Sequence, residues 1–155
     1  DGYKMEYPGN DNKYIDFGIT FLDATYHSFE NKVWAEREIK DKGIEFETRW
    51  GKGLGIETVN DEVIKYGQKK GYVVVVRRDP QNGFVRIKAR PRISNDEKDD
   101  IDLTHSYEVL KKKDPEATWF LHISKKMLLN GSYKNPEVKV TKLSLNEIIE
   151  VLKNF

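Results

Sequence analysis

The chain has 155 residues, 34% of them charged, and its 27 basic and 26 acidic side chains leave a formal net charge of +1. That length predicts one domain with a real core, and the near-balance of charge excludes a global field that draws the protein to nucleic acid or membrane, so electrostatic recognition has to be local. The absence of cysteine excludes disulfides and thiolate metal sites, and three histidines (His27, His105 and His122) are too few for a histidine-rich metal centre.

Residues 1–13, rich in Gly, Asn and Asp, read as a polar tail or loop preceding a single domain at 14–155. Tyr14 to Tyr26, dense in aromatic and β-branched residues, predicts a strand with a break near Gly18. Ser28 opens a helix that runs to about Lys42 and closes at Gly43. Phe29, Val33 and Ile39 are its apolar groups, with Trp34 and Ala35 beside them. Ile44 to Trp50 alternates as a half-buried strand, Gly51-Lys52-Gly53 turns it, and Leu54 to Val59 returns. Asn60 caps a short helix over Asp61 to Lys70, with acids in the first turn, lysines in the last and Gly71 at the stop.

A hairpin follows over Gly71 to Arg92. Val73 to Val76 form a buried-type strand, Asp79-Pro80-Gln81-Asn82-Gly83 make the turn, and Phe84 to Arg90 return. Ser94 to Asp102 reads as a charged loop, and Thr104 caps a helix ending in Lys111 to Lys113 before Asp114-Pro115 stops it. Ala117 to Ser124 predicts a strand, Lys125 to Leu129 a second, and Asn130-Gly131 a turn. The closing helix carries the capping box Ser144-Leu145-Asn146-Glu147, with Leu145, Ile148, Ile149 and Leu152 at helical spacing. Adjacent strand pairs separated by single helices predict an α+β fold, a mixed and largely antiparallel sheet with helices packed on it.

Function is best sought on the hairpin. Alternation places Arg86, Lys88 and Arg90 on one face and Val85, Ile87 and Ala89 on the other. Three cations at that spacing, with Arg77, Arg78 and Arg92 nearby, suit a phosphate chain. The competing explanation is a solvated sheet face balanced by neighbouring carboxylates. The glycine-rich stretch Trp50-Gly51-Lys52-Gly53-Leu54-Gly55 offers backbone amides and Lys52 to an anion, but it is neither a Walker loop nor a dinucleotide fingerprint, and a tight hairpin turn explains it. His122, Ser124, Lys125 and Lys126, followed by Asn130-Gly131-Ser132, form a third candidate, with His122 and Ser124 on one strand face. The acids Asp96, Glu97, Asp99, Asp100 and Asp102 lack calcium-loop spacing and read as a solvated loop. Trp34, Trp50 and Trp119 read as core, with Trp50 the candidate for stacking on a base.

The order Trp50-Gly51-Lys52, Glu57-Thr58-Val59-Asn60-Asp61, Gly71 to Arg77, Val85 to Pro91, Phe120-Leu121-His122-Ile123-Ser124 and Asn130-Gly131-Ser132 resembles the C-terminal half of certain DHH-superfamily proteins. These are the predicted metal-dependent nucleases typified by the melanocyte proliferating gene product. The resemblance spans roughly Ile44 to Leu152. In that family an N-terminal core with an Asp-His-His motif binds manganese and hydrolyses phosphodiesters, while the C-terminal region helps to hold substrate and contains a turn often written Gly-Gly-His. Here that turn corresponds to Asn130-Gly131-Ser132, with one glycine and no histidine, and the chain contains no Asp-His-His. Asp23 and His27 alone cannot assemble a two-metal site. The resemblance therefore implies an accessory part, a truncated form or a relative without the hydrolytic core, with no cofactor in this chain and manganese only where such a core is present. The start at Asp1 rather than Met fits a fragment.

The resulting expectation is a non-catalytic binding module for a phosphate-bearing ligand, nucleic acid or a nucleotide. Arg86, Lys88 and Arg90 are its phosphate contacts, with Lys52, Lys125 and Lys126 as outer contributors. Gly51, Gly53, Asn130, Gly131 and Ser132 are turn contacts, and His122 and Trp50 polar or stacking partners. The alternatives are a metal-dependent phosphoesterase whose core lies outside the chain, and a protein-interaction module for an acidic partner. With no apolar run near the roughly 18 residues of a membrane helix and no signal-peptide pattern, the expected setting is soluble and cytoplasmic, away from membranes.

Overall fold

The computed structural model describes residues 8–93, 100–135 and 137–154. Among these, four helices and six strands follow in the order α1 (Asp11–Lys42), β1 (Ile44–Thr48), β2 (Gly51–Glu57), α2 (Glu62–Lys69), β3 (Val74–Arg78), β4 (Val85–Ala89), α3 (Thr104–Lys113), β5 (Trp119–Leu121), β6 (Met127–Asn130) and α4 (Leu145–Lys153). The strands form one sheet in the order β1-β2-β3-β4-β6-β5. Every neighbouring pair is antiparallel except β2 and β3, which α2 connects as a crossover. The fold is α+β, as expected.

Helices cover both faces, which explains the unbroken valine run. Val74 and Val76 face a large core with Val85, Ile87, Leu110, Leu128, Ile148 and Leu152. Val75 points the other way, into a smaller core of Ala35, Leu54, Ile56, Val63 and Ile64 beneath α1 and α2. A strand buried on both sides needs apolar residues at every position. The closing helix is built as its sequence predicts: Ser144 Oγ accepts from Glu147 N, and the Glu147 carboxylate accepts from Ser144 N at 2.8 Å. Ile148 and Leu152 have no exposed surface, and each such burial contributes on the order of 2 kcal/mol.

Several expectations need correction. Tyr14 to Tyr26 is helix, not strand: α1 begins at Asp11, where Asn10 Oδ1 accepts from Lys13 N at 3.1 Å, so the polar segment ends in a helix cap. The helix is anchored at its C-terminal end by Ala35, Glu38 and Ile39, and once such a nucleus exists each further residue adds a hydrogen bond. Ser28 therefore lies inside the helix, and Trp34 is 42% exposed rather than core. The turn between β1 and β2 falls at Arg49-Trp50, where Thr48 Oγ1 accepts from Trp50 N and donates to Gly51 O. Gly53 and Gly55 are strand positions whose neighbours leave no room for a side chain. A Cβ would sit 2.5 Å from the Phe46 ring at Gly53 and 2.5 Å from Ile149 Cδ1 at Gly55.

The strand expected over Ala117 to Ser124 is only Trp119–Leu121, and the one expected over Lys125 to Leu129 is Met127–Asn130. Between them a tight turn puts Lys125 at φ 57°. Asn130 is thus a strand residue, and Ile123, in the turn beyond β5, is 92% exposed. Thr104 is the first residue of α3 rather than its cap, which is Leu103, and the Asp102 carboxylate accepts from Thr104 N at 2.8 Å. Asp96, Glu97 and Asp99 of the acidic run lie outside the described residues. Among the described residues no helix is long and apolar enough to cross a membrane.

Candidate anion-binding cleft

The hairpin register is fixed by its turn. Asp79 N donates to Phe84 O and Gly83 N to Asp79 O, each at 2.8 Å, while Asp79 Oδ1 accepts from the amides of Gln81 and Asn82. Gly83 supplies the left-handed φ of 70° that the turn requires. This closure pairs Arg77 directly with Arg86. Two like charges facing one another across adjacent strands repel, and Asp61 at the start of α2 resolves the conflict. Its Oδ1 accepts from Arg77 Nε at 2.7 Å and its Oδ2 from Arg86 Nη1 at 3.1 Å.

Arg77 is 5% exposed and also reaches Thr58 O. Arg86 keeps 37% of its side chain open, and Asp61 engages one of its five N–H donors. Beside this trio the chain leaving β6 turns back. Gly131 has φ 82°, and a Cβ there would lie 2.3 Å from Phe84, so the backbone approaches the hairpin as only glycine permits. Tyr133 packs edge-on against Phe84 at 5.4 Å and donates its hydroxyl to Asp79 Oδ2 at 2.9 Å. Burial pushes the Asp79 carboxyl up, but the amides of Gln81 and Asn82 and the Tyr133 hydroxyl outweigh it and hold the group below its ordinary value. The same bond raises the Tyr133 phenol. Asp79 is therefore a fixed anion behind the turn.

Arg77, Arg86, Asp61, Ser132, Tyr133 and Lys134 line a cleft of about 380 Å³ floored by Phe84, Val85, Leu129 and Gly131. Three cations face two carboxylates, Asp61 and Asp79, and Lys134 is exposed with no ion pair among the described residues. The arrangement leaves excess positive charge and unused donors at the mouth of a partly apolar hollow, the chemistry of a phosphate or carboxylate site.

The expected site residues divide. Arg86, Lys88 and Arg90 do share one face, shown by the alternation of buried and half-buried residues along β4. They do not act as one stripe. Arg86 belongs to the cleft, Gln68 of α2 reaches the Lys88 carbonyl, and Arg90 lines a separate hollow with Lys65, Gln68 and Pro91. Lys52 pairs with Glu45 toward the β1 edge, Lys125 with Asp102 and Lys126 with Asp100. His122 Nδ1 lies 2.9 Å from Ser124 Oγ within its own turn. Trp50 is half-buried with Arg49 stacked on its ring at 4.5 Å, and Gly51 and Gly53 are in the sheet.

Of the turn candidates, Gly131 and Ser132 line the cleft with Arg86. Asn130 is wholly buried and its amide is engaged by Thr118 O, Lys139 O and Thr141 N. The residues not singled out from sequence are Asp61 as shared counterion, Tyr133 and Lys134. The Arg77–Arg86 pairing was available in principle, because the turn that joins Asp79 to Phe84 dictates it. Among the described residues no three His, Cys, Asp or Glu side chains group as metal ligands. No protein-family model, curated protein or solved structure matches the chain.

Proposed function

We propose that this chain binds a phosphate-bearing ligand, a nucleotide or a nucleic-acid strand, in the cleft between Arg86 and Lys134. The observation that carries the reading is the Arg77–Arg86 pair held on a single carboxylate, which leaves Arg86 37% open in a cleft that it lines with Gly131 and Ser132. The bidentate fork suits phosphate oxygens, and Lys134 adds a point charge across the opening. The turn that would correspond to the Gly-Gly-His of DHH-type accessory regions is residues 130–132, but with one glycine, no histidine and Asn130 buried, the reading rests on Arg86 and Lys134 rather than on that resemblance. The apolar floor of Phe84 and Leu129 offers a base or sugar a dry surface.

Fluorescence anisotropy with a labelled single-stranded oligonucleotide, across a salt series, tests this. Log affinity should fall with log salt by about 0.7 for each phosphate neutralised. Arg86→Ala and Lys134→Ala should each weaken binding by roughly tenfold and flatten the slope by about one phosphate. Lys52→Ala, remote and paired with Glu45, should change neither. Asp61→Asn removes the competing internal anion and should tighten binding. A salt-independent signal, or equal losses from Arg86→Ala and Lys52→Ala, overturns the proposal.

A further inference from the structure

The N-terminal part of α1 carries an apolar stripe that the domain does not cover, although Asn31 O accepts from Asn60 Nδ2 at 3.0 Å on the opposite side of the helix. No residue from Asp11 to Trp34 is buried, yet Ile15, Ile19, Leu22, Tyr26, Phe29 and Val33 are 54–66% exposed. Their spacing alternates four, three, four, three, four. That is the a/d pattern of a coiled coil, an apolar seam of period 3.5 made to receive a second helix. The seam ends where the domain begins. Val33 lies about 200° around the helix from Ala35, the first residue packed on the sheet, so the stripe faces away from the domain. Glu36 and Lys40, the next positions in the repeat, are polar.

We infer that α1 pairs antiparallel with α1 of a second copy of this chain. The seam is self-complementary about Ala24. Reversing one helix sets Ile15 against Val33, Ile19 against Phe29 and Leu22 against Tyr26, so each bulky aromatic meets an aliphatic and each layer has similar volume. A parallel pair stacks Tyr26 on Tyr26 and Phe29 on Phe29 in neighbouring layers, then Val33 on Val33, an uneven core.

Flanking charge points the same way. The antiparallel pair brings Asp16 beside Arg37 of the other copy twice and Asp23 beside Glu30 twice, so attraction and repulsion offset one another. The parallel pair aligns Lys32 with Arg37 and Asp11 with Asp16, which all repel. Six side chains of on the order of 100 Å² exposed area each make about 1,200 Å² across two helices, the lower bound of a specific interface. A single chain leaving its half of that surface, about 600 Å², in water stands at the upper end of the apolar patch a monomer ordinarily shows.

Sedimentation equilibrium of the full chain at micromolar to hundred-micromolar loading should give twice the chain mass. Leu22→Glu places a charge in both symmetry-related layers and should raise the dimer dissociation constant at least about hundredfold. Its melting transition should otherwise persist, because Leu22 touches no part of the domain core. Orientation is read by spin labels on Asp16→Cys, the only thiol in a chain without cysteine. Labels lie about 25 Å apart in the antiparallel pair and about 10 Å apart in a parallel one. A monomer at all loadings, a dimer indifferent to Leu22→Glu, or the short distance overturns the inference.

Discussion

Asn130 shows how much a single buried side chain organises in this protein. Its Nδ2 donates to Thr118 O at 2.9 Å and Lys139 O at 3.1 Å, and its Oδ1 accepts from Thr141 N at 2.6 Å. It thereby ties β6 to the strand before it and to the segment leading into α4, and it fixes where the Gly131-Ser132 turn emerges beside Arg86. Asn130→Ala takes the side-chain partner from the buried Thr141 amide and from Thr118 O, while Lys139 O keeps Thr118 N, and should cost about 1–3 kcal/mol in urea unfolding. Oligonucleotide affinity should fall with it, because the turn loses its footing. In the sequence Asn130-Gly131 reads as an exposed turn pair, and half of that is right: Gly131 does take a positive φ. The burial of Asn130 depends on partners at 118 and 139–141, which no local pattern announces. Arg86, by contrast, was legible, because strand alternation alone aims it away from Val85 and Ile87.

At the level of elements, legibility followed the length over which a pattern repeats. The valine strand, the capped α4 and the hairpin turn each carry a signal complete within about ten residues. Helix α1 carries two conflicting ones. Ile15, Phe17, Ile19 and Phe21 alternate with polar residues and glycine as a strand does, while the heptad from Ile15 to Val33 shows only over nineteen positions. The longer pattern prevails, and Thr20 and Thr25 turn their hydroxyls back to the carbonyls of Asp16 and Phe21 within the helix. Strand β2 misleads in another way. Its glycines suggest a loop, but they exist because Phe46 and α4 press against the strand. Gly55→Ala should force Ile149 away from the sheet and destabilise the fold by about 1–3 kcal/mol, read as a lower melting temperature with the capping box intact. An unchanged melting point would mean that α4 does not sit so close to β2.

For the molecule as a whole, the even balance of charge is realised as local pairing, and acid is the condition that undoes it. Two buried carboxylates hold distant segments together. Asp114 accepts from Lys142 N and Thr141 Oγ1, each at 2.8 Å, and these bonds depress its pKa. Asp79 is depressed likewise, its amide and hydroxyl partners outweighing burial. A folded pKa below the unfolded value of about 3.9 means that the stabilisation is complete above that pH and is lost as pH falls through the lower folded values. The urea midpoint should therefore hold from neutrality to about pH 4 and drop steeply below it. Asp114→Asn should start lower and fall less. A midpoint indifferent to acid would show that these carboxylates bear no such load.

Among the described residues the sheet order leaves β1 and β5 as its two rims, each with a single strand neighbour. An open rim is a template on which another chain can add a strand and so begin a fibril. Here one rim alternates Glu45 and Glu47 along its short length, and the other lasts only from Trp119 to Leu121. Repulsion blocks stacking at the first and brevity starves it at the second, so growth by strand addition is discouraged at both ends.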